Sequence, residues 1–320
     1  YEAIHGCWCK AIKVLPYFCV VHKQDWFIKE KYMPELQKDD MSFLSRSFER
    51  HFNERPYLKH SCYLYLTKTT KERNRMQSNF STLCRGHIIP KELDKETAGK
   101  FMEAAEQFER IMNDSGFVRL RRLSTDEIVG TEKSAGLIER YFSLMPEGDT
   151  TLQDIDLSAK EMRIGDKRLC LHTLSDAEDM PGKVATDIRY EKLSTDRSDC
   201  RLSFASPVGL LLSCNHIYNQ YVIIDNSEEN LQKFEKSARN MQSLSRYSRS
   251  NSINREWIDQ YLNEAHSYGL TSVRAHFNVM AWSDDAEELK HIKNDVGSQL
   301  ASMECVPRHN TIDCPTLYWA

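Results

Sequence analysis

The chain has 320 residues, of which 40% are hydrophobic and 28% are charged, and its net charge is −4. This size and composition are typical of a globular protein of about two domains. The acidic balance argues against a chain devoted wholly to nucleic-acid binding, and the longest apolar run, 207–212, is far below the ~20 residues that span a bilayer. The ten scattered cysteines indicate reduced core thiols. Because the chain begins at Tyr1 without Met or a signal peptide, we expect an excised fragment or a processed product of a longer protein.

Residues 1–146 alternate between helical and strand patterns and predict an N-terminal lobe. A polar, basic stretch at 69–90 has no period and is predicted as a loop. Ser124 and Glu127 have the spacing of a capping box, and Pro146 ends the helix that follows. The predicted elements are, in order, helix 1–15, strand 17–28, a helix capped by Asp39 or Asp40 with Phe43, Leu44, Phe48 and Phe52 on its stripe, strand 58–68, a helix from Asp94 to Gly116, strand 117–123 and helix 124–145.

Residues 147–206 are predicted as a linker, a hairpin and an exposed loop. The linker is the Gly- and Thr-rich stretch 147–154. Two short strands flank Gly165 and Asp166, a pair typical of a hairpin turn. The polar stretch 176–199 is predicted as the loop.

Residues 207–320 predict a second lobe with a long, interrupted helix between two strands. Asn226 or Ser227 caps that helix, a Ser- and Arg-rich break interrupts it at 245–252, and Gly269 ends it. The central strand, 271–282, alternates apolar and mostly polar residues. The remaining predicted elements are strand 214–225, a helix capped by Ser283 or Asp284 with the stripe Leu289, Ile292, Val296, Leu300 and Met303, and strand 305–312.

Together these elements predict an α+β fold of two lobes, each a mixed or antiparallel sheet with helices packed on one face. Ferredoxin-like βαβ units are one form that such lobes can take. The predicted domains are residues 1–146, a connecting region at 147–206, and residues 207–320.

No nucleotide site is expected in this chain. A phosphate-binding loop needs glycines and a Lys followed by Ser or Thr, and Gly99-Lys100 and Gly182-Lys183 lack both the upstream Gly and the hydroxyl. Strand 221–225 ends in Asp225, as Mg²⁺-binding strands do, but without a phosphate loop a strand end with a helix-capping Asp is the better explanation. We therefore expect no catalytic residue, no cofactor and no ATP hydrolysis.

Metal ligands and nucleophiles give equally weak signals. His5 and Cys9 share a helix face, but Cys7 points away from it. Cys214 and His216 share a strand face without a second pair, whereas structural zinc takes four ligands. No Gly-x-Ser-x-Gly motif is present. We expect no metal site and no hydrolase activity.

Two basic stretches, 68–85 and 239–255, could contact phosphates or an acidic protein surface. A solvated loop and a solvated helix face are the simpler interpretations in an acidic chain. The second stretch has the better case, because it contains the helix break where a partner could dock. The candidate contact residues are Arg73, Arg75, Arg239, Arg246, Arg249 and Arg255.

The amino-acid sequence resembles the N-terminal region of the conjugative-transposon TraG proteins, the large ATPases of type IV secretion-like DNA-transfer machines. The resemblance covers nearly the whole chain. The stretches that carry it are HKQDWFIKE (22–30), DDMSFLSRSFERHFNERPYLKHSCYLYLTKTTKERNRMQSNFS (39–81), NDSGFVRL (113–120), EKSAGLIERYFSLM (132–145), MRIGDKRLCLHTLSD (162–176), LLLSCNHIYNQYV (210–222) and PTLYWA (315–320).

The resemblance implies a non-catalytic domain that docks a transfer ATPase on an inner-membrane DNA-translocation complex and helps it to oligomerise, as a hexamer. ATP and Mg²⁺ would bind a RecA-like motor domain beyond Ala320. The implied partners are inner-membrane components of the apparatus and the motor domain, and the implied location is the cytoplasmic side of the inner membrane, as a peripheral protein. The alternative is a nucleic-acid-contacting module that uses 68–85 or 239–255.

Overall fold

The fold is α+β, as predicted, and is dominated by one large antiparallel sheet with helices packed against it. The computed structural model describes residues 2–33, 41–70, 95–144, 153–158, 161–174, 177–182, 184, 188–244, 247–309 and 314–319. The described helices are α1 (Glu2–Lys13), α2 (Phe43–Asn53), α3 (Lys95–Asp114), α4 (Thr125–Val129), α5 (Leu137–Ser143), α6 (Ser206–Leu210), α7 (Ser227–Leu244), α8 (Arg249–Tyr268), α9 (Ala286–Ser302) and α10 (Cys314–Trp319), with a 3-10 turn at Ala177–Asp179.

The sheet has the strand order β2-β1-β10-β11-β7-β6-β5, and the short β12 also pairs with β7. Two small hairpins, β3–β4 and β8–β9, lie outside it. The described strands are β1 (Cys19–Lys31), β2 (Pro56–Lys68), β3 (Gly130–Thr131), β4 (Ser134–Ala135), β5 (Ile155–Leu157), β6 (Met162–Ile164), β7 (Lys167–Leu174), β8 (Ile188–Arg189), β9 (Arg201–Leu202), β10 (Asn215–Ile224), β11 (Val273–Ser283) and β12 (Arg308–His309).

The first face of the sheet is covered at both ends by helices. At one end, Ile12 of α1 and Phe108 of α3 pack against Val21 and Ile224. At the other end, α6 and α9 cover β7, β10 and β11. The predicted stripe of α9 is confirmed, since all of its members are buried there: Leu289, Ile292, Val296, Leu300 and Met303.

The second face is covered at one end by α5 and α10. Leu137 and Tyr318 pack against Ile217, Met280 and Trp282, which point away from the first face because strand side chains alternate. The expectation of helices on one face only was therefore wrong, because this part of the second face is also apolar and needs a cover.

Strands of the two predicted lobes join in one sheet, so the expectation of a separate sheet in each lobe was also wrong. Residues Val20–Phe27 of β1 pair with His216–Ile223 of β10. Without β10, β1 would be an edge strand with a long row of unpaired N–H and C=O groups, and pairing with β10 satisfies those that β2 does not. The boundaries at 147 and 206 stay a prediction.

Glycine geometry explains why the predicted helix 124–145 is divided. The capping box of Ser124 and Glu127 is confirmed, but Gly130 has φ +99°, a conformation that cannot continue a helix. The chain forms the β3–β4 hairpin there and resumes as α5, which begins after Gly136. The predicted strand at 117–123 is not a strand in the structure.

Three further details differ from the sequence predictions. Ser42 caps α2, while Asp39 and Asp40 lie outside the described residues. Asp285 caps α9 in place of Ser283 or Asp284. Of the predicted final strand, 305–312, Arg308 and His309 form β12, residues 305–307 are not in a strand, and 310–312 lie outside the described residues, while the helix α10 was not predicted. The predicted turn at Gly165 and Asp166 is confirmed, with β6 and β7 on either side.

Candidate functional site

Helices α7 and α8 form a helical hairpin inserted between the paired strands β10 and β11. Ile224 and Val273, the strand ends on either side of the insertion, face each other across the sheet. At the base of the hairpin, Arg274 donates two hydrogen bonds to the carboxylate of Asp225. Its Nε lies 2.7 Å from Oδ2, and its Nη2 lies 3.1 Å from Oδ1. The hairpin therefore projects from the end of the sheet on a fixed base.

Local sequence signals set the ends of the two helices. The Asn226 side chain accepts hydrogen bonds from the N–H groups of Glu228 and Glu229, which confirms it as the cap of α7. Gly269 has φ +58° and ends α8. The predicted break is confirmed and is shorter than expected, running from the end of α7 at Leu244 to the start of α8 at Arg249.

The hairpin contributes little to the buried core. In α7, with 18 residues, only Ala238 is buried, and in α8, with 20 residues, only Ala265 is buried. Tyr247, in the break, is 85% exposed, and Tyr268 is 75% exposed. These helices thus form a surface rather than a support for the sheet.

Carboxylates of the same helices pair with two of the predicted contact arginines. Arg239 Nη2 lies 3.5 Å from Glu235 Oε2, and Arg255 Nε lies 3.4 Å from Asp259 Oδ2. Both pairs have the i, i+4 spacing that places side chains next to each other on a helix. Each pair is neutral overall, which reduces the attraction that these arginines offer to phosphates.

Of the other predicted contact residues, the structure describes Arg249. Arg249 is exposed at the first residue of α8. Arg246, Arg73 and Arg75 lie outside the described residues, so their role stays a prediction. A joint surface of the two basic stretches is therefore not seen in the described part of the chain.

An apolar groove between α7 and α8 is the feature that the sequence reasoning missed. It is an open cleft of about 290 Å³ lined by Phe234, Met241, Asn254, Trp257, Ile258 and Tyr261. Phe234 and Tyr261 meet edge to face, with ring centroids 5.1 Å apart. No charged side chain lines the groove among the described residues. Apolar residues recur there at helical spacing, a pattern that does not distinguish an exposed groove from a buried stripe.

Exposure makes this groove unusual. Trp257 is 65% exposed and Phe234 is 40% exposed, although large aromatic side chains usually bury most of their surface. A contiguous apolar patch of this kind commonly marks a contact surface for another molecule. The arrangement can bind an apolar partner surface, and its lining holds no acid, base or nucleophile for chemistry.

A buried polar network crosses the second face of the sheet beyond α5 and α10. Asn219 lies at its centre: its Oδ1 accepts hydrogen bonds from Gln24 Nε2 at 3.0 Å and from His22 Nε2 at 2.9 Å, and its Nδ2 donates to Asn278 Oδ1 at 2.9 Å. His22 stacks on Tyr221 with centroids 4.0 Å apart. Burial lowers the pKa of His22 to about 4, against the opposing effect of its bond to Asn219. The network links three neighbouring strands and is satisfied internally.

On the first face, Asp25 is buried next to Lys23 and His60. It contacts Lys23 and lies 2.9 Å from His60 Nε2. Burial alone would raise the pKa of Asp25, but the charge and hydrogen bond of Lys23, together with the hydrogen bond from His60, hold it below its usual value. Asp25 and Lys23 form an ion pair in which the carboxylate is buried and the ammonium group is partly exposed.

Buried cysteine and histidine side chains serve the core. His216 is fully buried, and its ring nitrogens lie 3.0 Å from Val208 O and 2.9 Å from Cys214 O. Among the described residues, no group of three or more His, Cys, Asp or Glu is arranged to hold a metal ion. Within the same ranges, every helix is too short or too polar to cross a membrane.

A scan of protein-family models found none that matches the chain, and a search of curated proteins likewise found no match.

Proposed function

We propose that this chain is a non-catalytic docking domain of a conjugative transfer ATPase of the TraG type. It docks the motor on the inner-membrane translocation complex, from the cytoplasmic side, and helps the full-length protein to form a hexamer. The support is the resemblance carried by long stretches such as 39–81 and 162–176. In this proposal, ATP and Mg²⁺ bind the motor domain and not this chain.

The observation that carries the docking role is the exposed apolar groove of the α7–α8 hairpin. Trp257 and Phe234 would lose most of their exposed surface in a complex, and burial of apolar surface stabilises by about 25 cal/mol per Å². Buried Trp residues are frequent hot spots of protein interfaces. The uncharged lining favours an apolar partner surface, such as one face of an amphipathic helix.

Co-purification tests this proposal. The folded chain is mixed with each inner-membrane protein of the conjugation apparatus encoded with it, and the dissociation constant is measured. We expect at least one of these proteins to bind, and Trp257→Ala to weaken that binding about tenfold or more. The matched control is Arg255→Ala on the same helix, which should change the affinity by less than about threefold because an exposed ion pair contributes little.

The outcomes separate the two parts of the proposal. If the folded chain binds none of these proteins, the docking role is rejected. If one binds with the same affinity to wild type and Trp257→Ala, docking stands but the groove is not the surface used. ATP turnover by the purified chain at an enzyme-like rate would contradict the non-catalytic role.

The basic stretches 68–85 and 239–255 support a second candidate role, contact with nucleic acid. Single-stranded DNA binding that weakens steeply with salt, and that is lost in Arg239→Ala and Arg249→Ala, would favour this role over protein docking. The ion pairs of Arg239 and Arg255 argue for the protein partner.

A further inference from the structure

The outer edge of β7 has a gap between its two short partner strands. β6 pairs with Lys167–Leu169, and β12 pairs with His172 and Thr173. At Cys170 and Leu171, between these pairings, a crevice of about 230 Å³ lies beside α9. The crevice shares no lining residue with the α7–α8 groove.

Positive charge exceeds negative charge in the crevice. Among the described residues, its lining includes Arg168, Lys290 and Lys293 and a single carboxylate, Glu161, which lies 2.9 Å from Arg168. Lys290 lies 2.6 Å from Glu287, outside the lining. Lys293 is half-buried, and no carboxylate of the described residues lies within ion-pair distance of it. In a chain of net charge −4, this is a local excess of cations.

Two histidines lie beside Lys293. The ring of His309, in the crevice lining, is 5.3 Å from that of His172. Burial first, and then His309 and Lys293, lower the pKa of His172 to about 4. Partial burial and Lys293 lower the pKa of His309. His172 is 6% exposed, and its Nδ1 atom has no hydrogen-bond partner among the described residues.

The hydrogen bond of His309 fixes how its ring can meet a ligand. Nδ1 lies 3.2 Å from Leu171 O, and a carbonyl oxygen only accepts, so Nδ1 carries the proton. In the neutral ring, Nε2 is then an acceptor, and it becomes a donor only when the ring is protonated. An anion that contacts Nε2 would therefore favour the protonated ring.

We propose that this crevice binds a small oxyanion of the sulfate or phosphate type, held by the ammonium group of Lys293 and the imidazole of His309. The volume suits a single tetrahedral anion or a small phosphate monoester, and the excess of cations supplies the attraction. Arg168 and Lys290 add positive charge at the same place.

The charged and titratable groups around the crevice decide how anion binding depends on pH. They are, by element, Arg168, Cys170 and His172 on β7, Lys290 and Lys293 on α9, Glu161 before β6, Cys314 on α10, and Arg308 on β12, which pairs with Asp179. The cations in this set oppose protonation of His309, and a bound dianion offsets them. Binding should therefore strengthen as pH falls, and the anion should raise the pKa of His309.

Sulfate is the probe, because its charge does not change near neutral pH. Calorimetry at about pH 5.5 and about pH 7.5, with chloride at equal ionic strength as the reference, measures its affinity across the range where histidine titrates. We expect binding at least threefold tighter at the lower pH. Lys293→Gln should weaken it about tenfold, and His309→Gln should remove its pH dependence. The matched control is Lys236→Gln, an exposed lysine on α7.

NMR of the His309 ring gives an independent readout. Its titration midpoint should move upward in sulfate in the wild type and stay in place in Lys293→Gln. The proposal is overturned if wild type binds no sulfate above the chloride reference, or if Lys293→Gln and Lys236→Gln bind it equally. Binding without any pH dependence would remove His309 from the site. None of these results depends on the docking role of the α7–α8 hairpin.

Discussion

Strands β10 and β11 belong to the covered centre of the sheet and also carry the α7–α8 hairpin. Apolar side chains are buried in the first region and exposed in the second. Strands β10 and β11 are buried where helices cover them, as shown by Ile217 at 0% and Met280 at 1% exposure. In the α7–α8 hairpin, which connects the other ends of these two strands, Trp257 is 65% exposed. Apolar side chains thus stabilise the fold in one region and remain available for a partner in the other. The difference lies in whether a second layer of this chain covers them.

Truncation in the covered region should have the largest effect. Leu300→Ala removes a side chain that is 1% exposed from the layer between α9 and the sheet. We expect the free energy of unfolding to fall by about 2–5 kcal/mol, because a cavity adds to the lost burial. Urea unfolding followed by circular dichroism measures it. A loss below about 1 kcal/mol would show that α9 is not firmly packed.

Acid should destabilise the sheet through His22. Its folded pKa is about 4, below the usual 6.5, so the unfolded chain binds more protons between these values. The contribution of neutral His22 to the free energy of unfolding is complete above about pH 6.5. It falls as the pH drops toward 4, by up to about 3 kcal/mol. His22→Phe keeps a ring between Tyr65 and Tyr221 and should reduce this fall. Unfolding curves at several pH values measure it, and an unchanged slope in His22→Phe would contradict it.

Removing the centre of the polar network should have an intermediate effect. Asn219→Ala leaves buried groups of Gln24 and Asn278 without a partner. We expect a loss of about 1–3 kcal/mol, the usual range for an unsatisfied buried polar group. Thermal unfolding at neutral pH checks this, with the exposed Asn240→Ala on α7 as the matched control. Equal stability of the two variants would mean that water replaces the network.

Truncation in the hairpin should have the smallest effect on stability. Trp257→Ala removes a mostly exposed ring, and surface substitutions usually change the free energy of unfolding by less than about 0.5 kcal/mol. The same variant should lose partner binding. If instead it unfolds the chain as readily as Leu300→Ala does, the groove is part of the core and the contrast between the two regions fails.

Local signals predicted most of the elements but not their assembly. The capping box at Ser124, the turn at Gly165 and the helix end at Gly269 each depend on a few neighbouring residues, and each is confirmed. The division at Gly130 was missed because a single Gly inside a helical pattern is often tolerated. The candidate arginines were predicted from charge alone, without the neighbouring carboxylates that pair with Arg239 and Arg255.

The sequence by itself determined the α+β class, the long strands, the helix caps and the break between α7 and α8, because periodicity and caps act over a few residues. Only the tertiary structure decided that strands from both halves share one sheet, that α9 is covered and that the groove beside Trp257 is not. An apolar stripe has the same spacing whether or not another layer lies on it. Whether another layer covers the stripe depends on how distant segments of the chain pair in the sheet, as Val20 and Ile223 do.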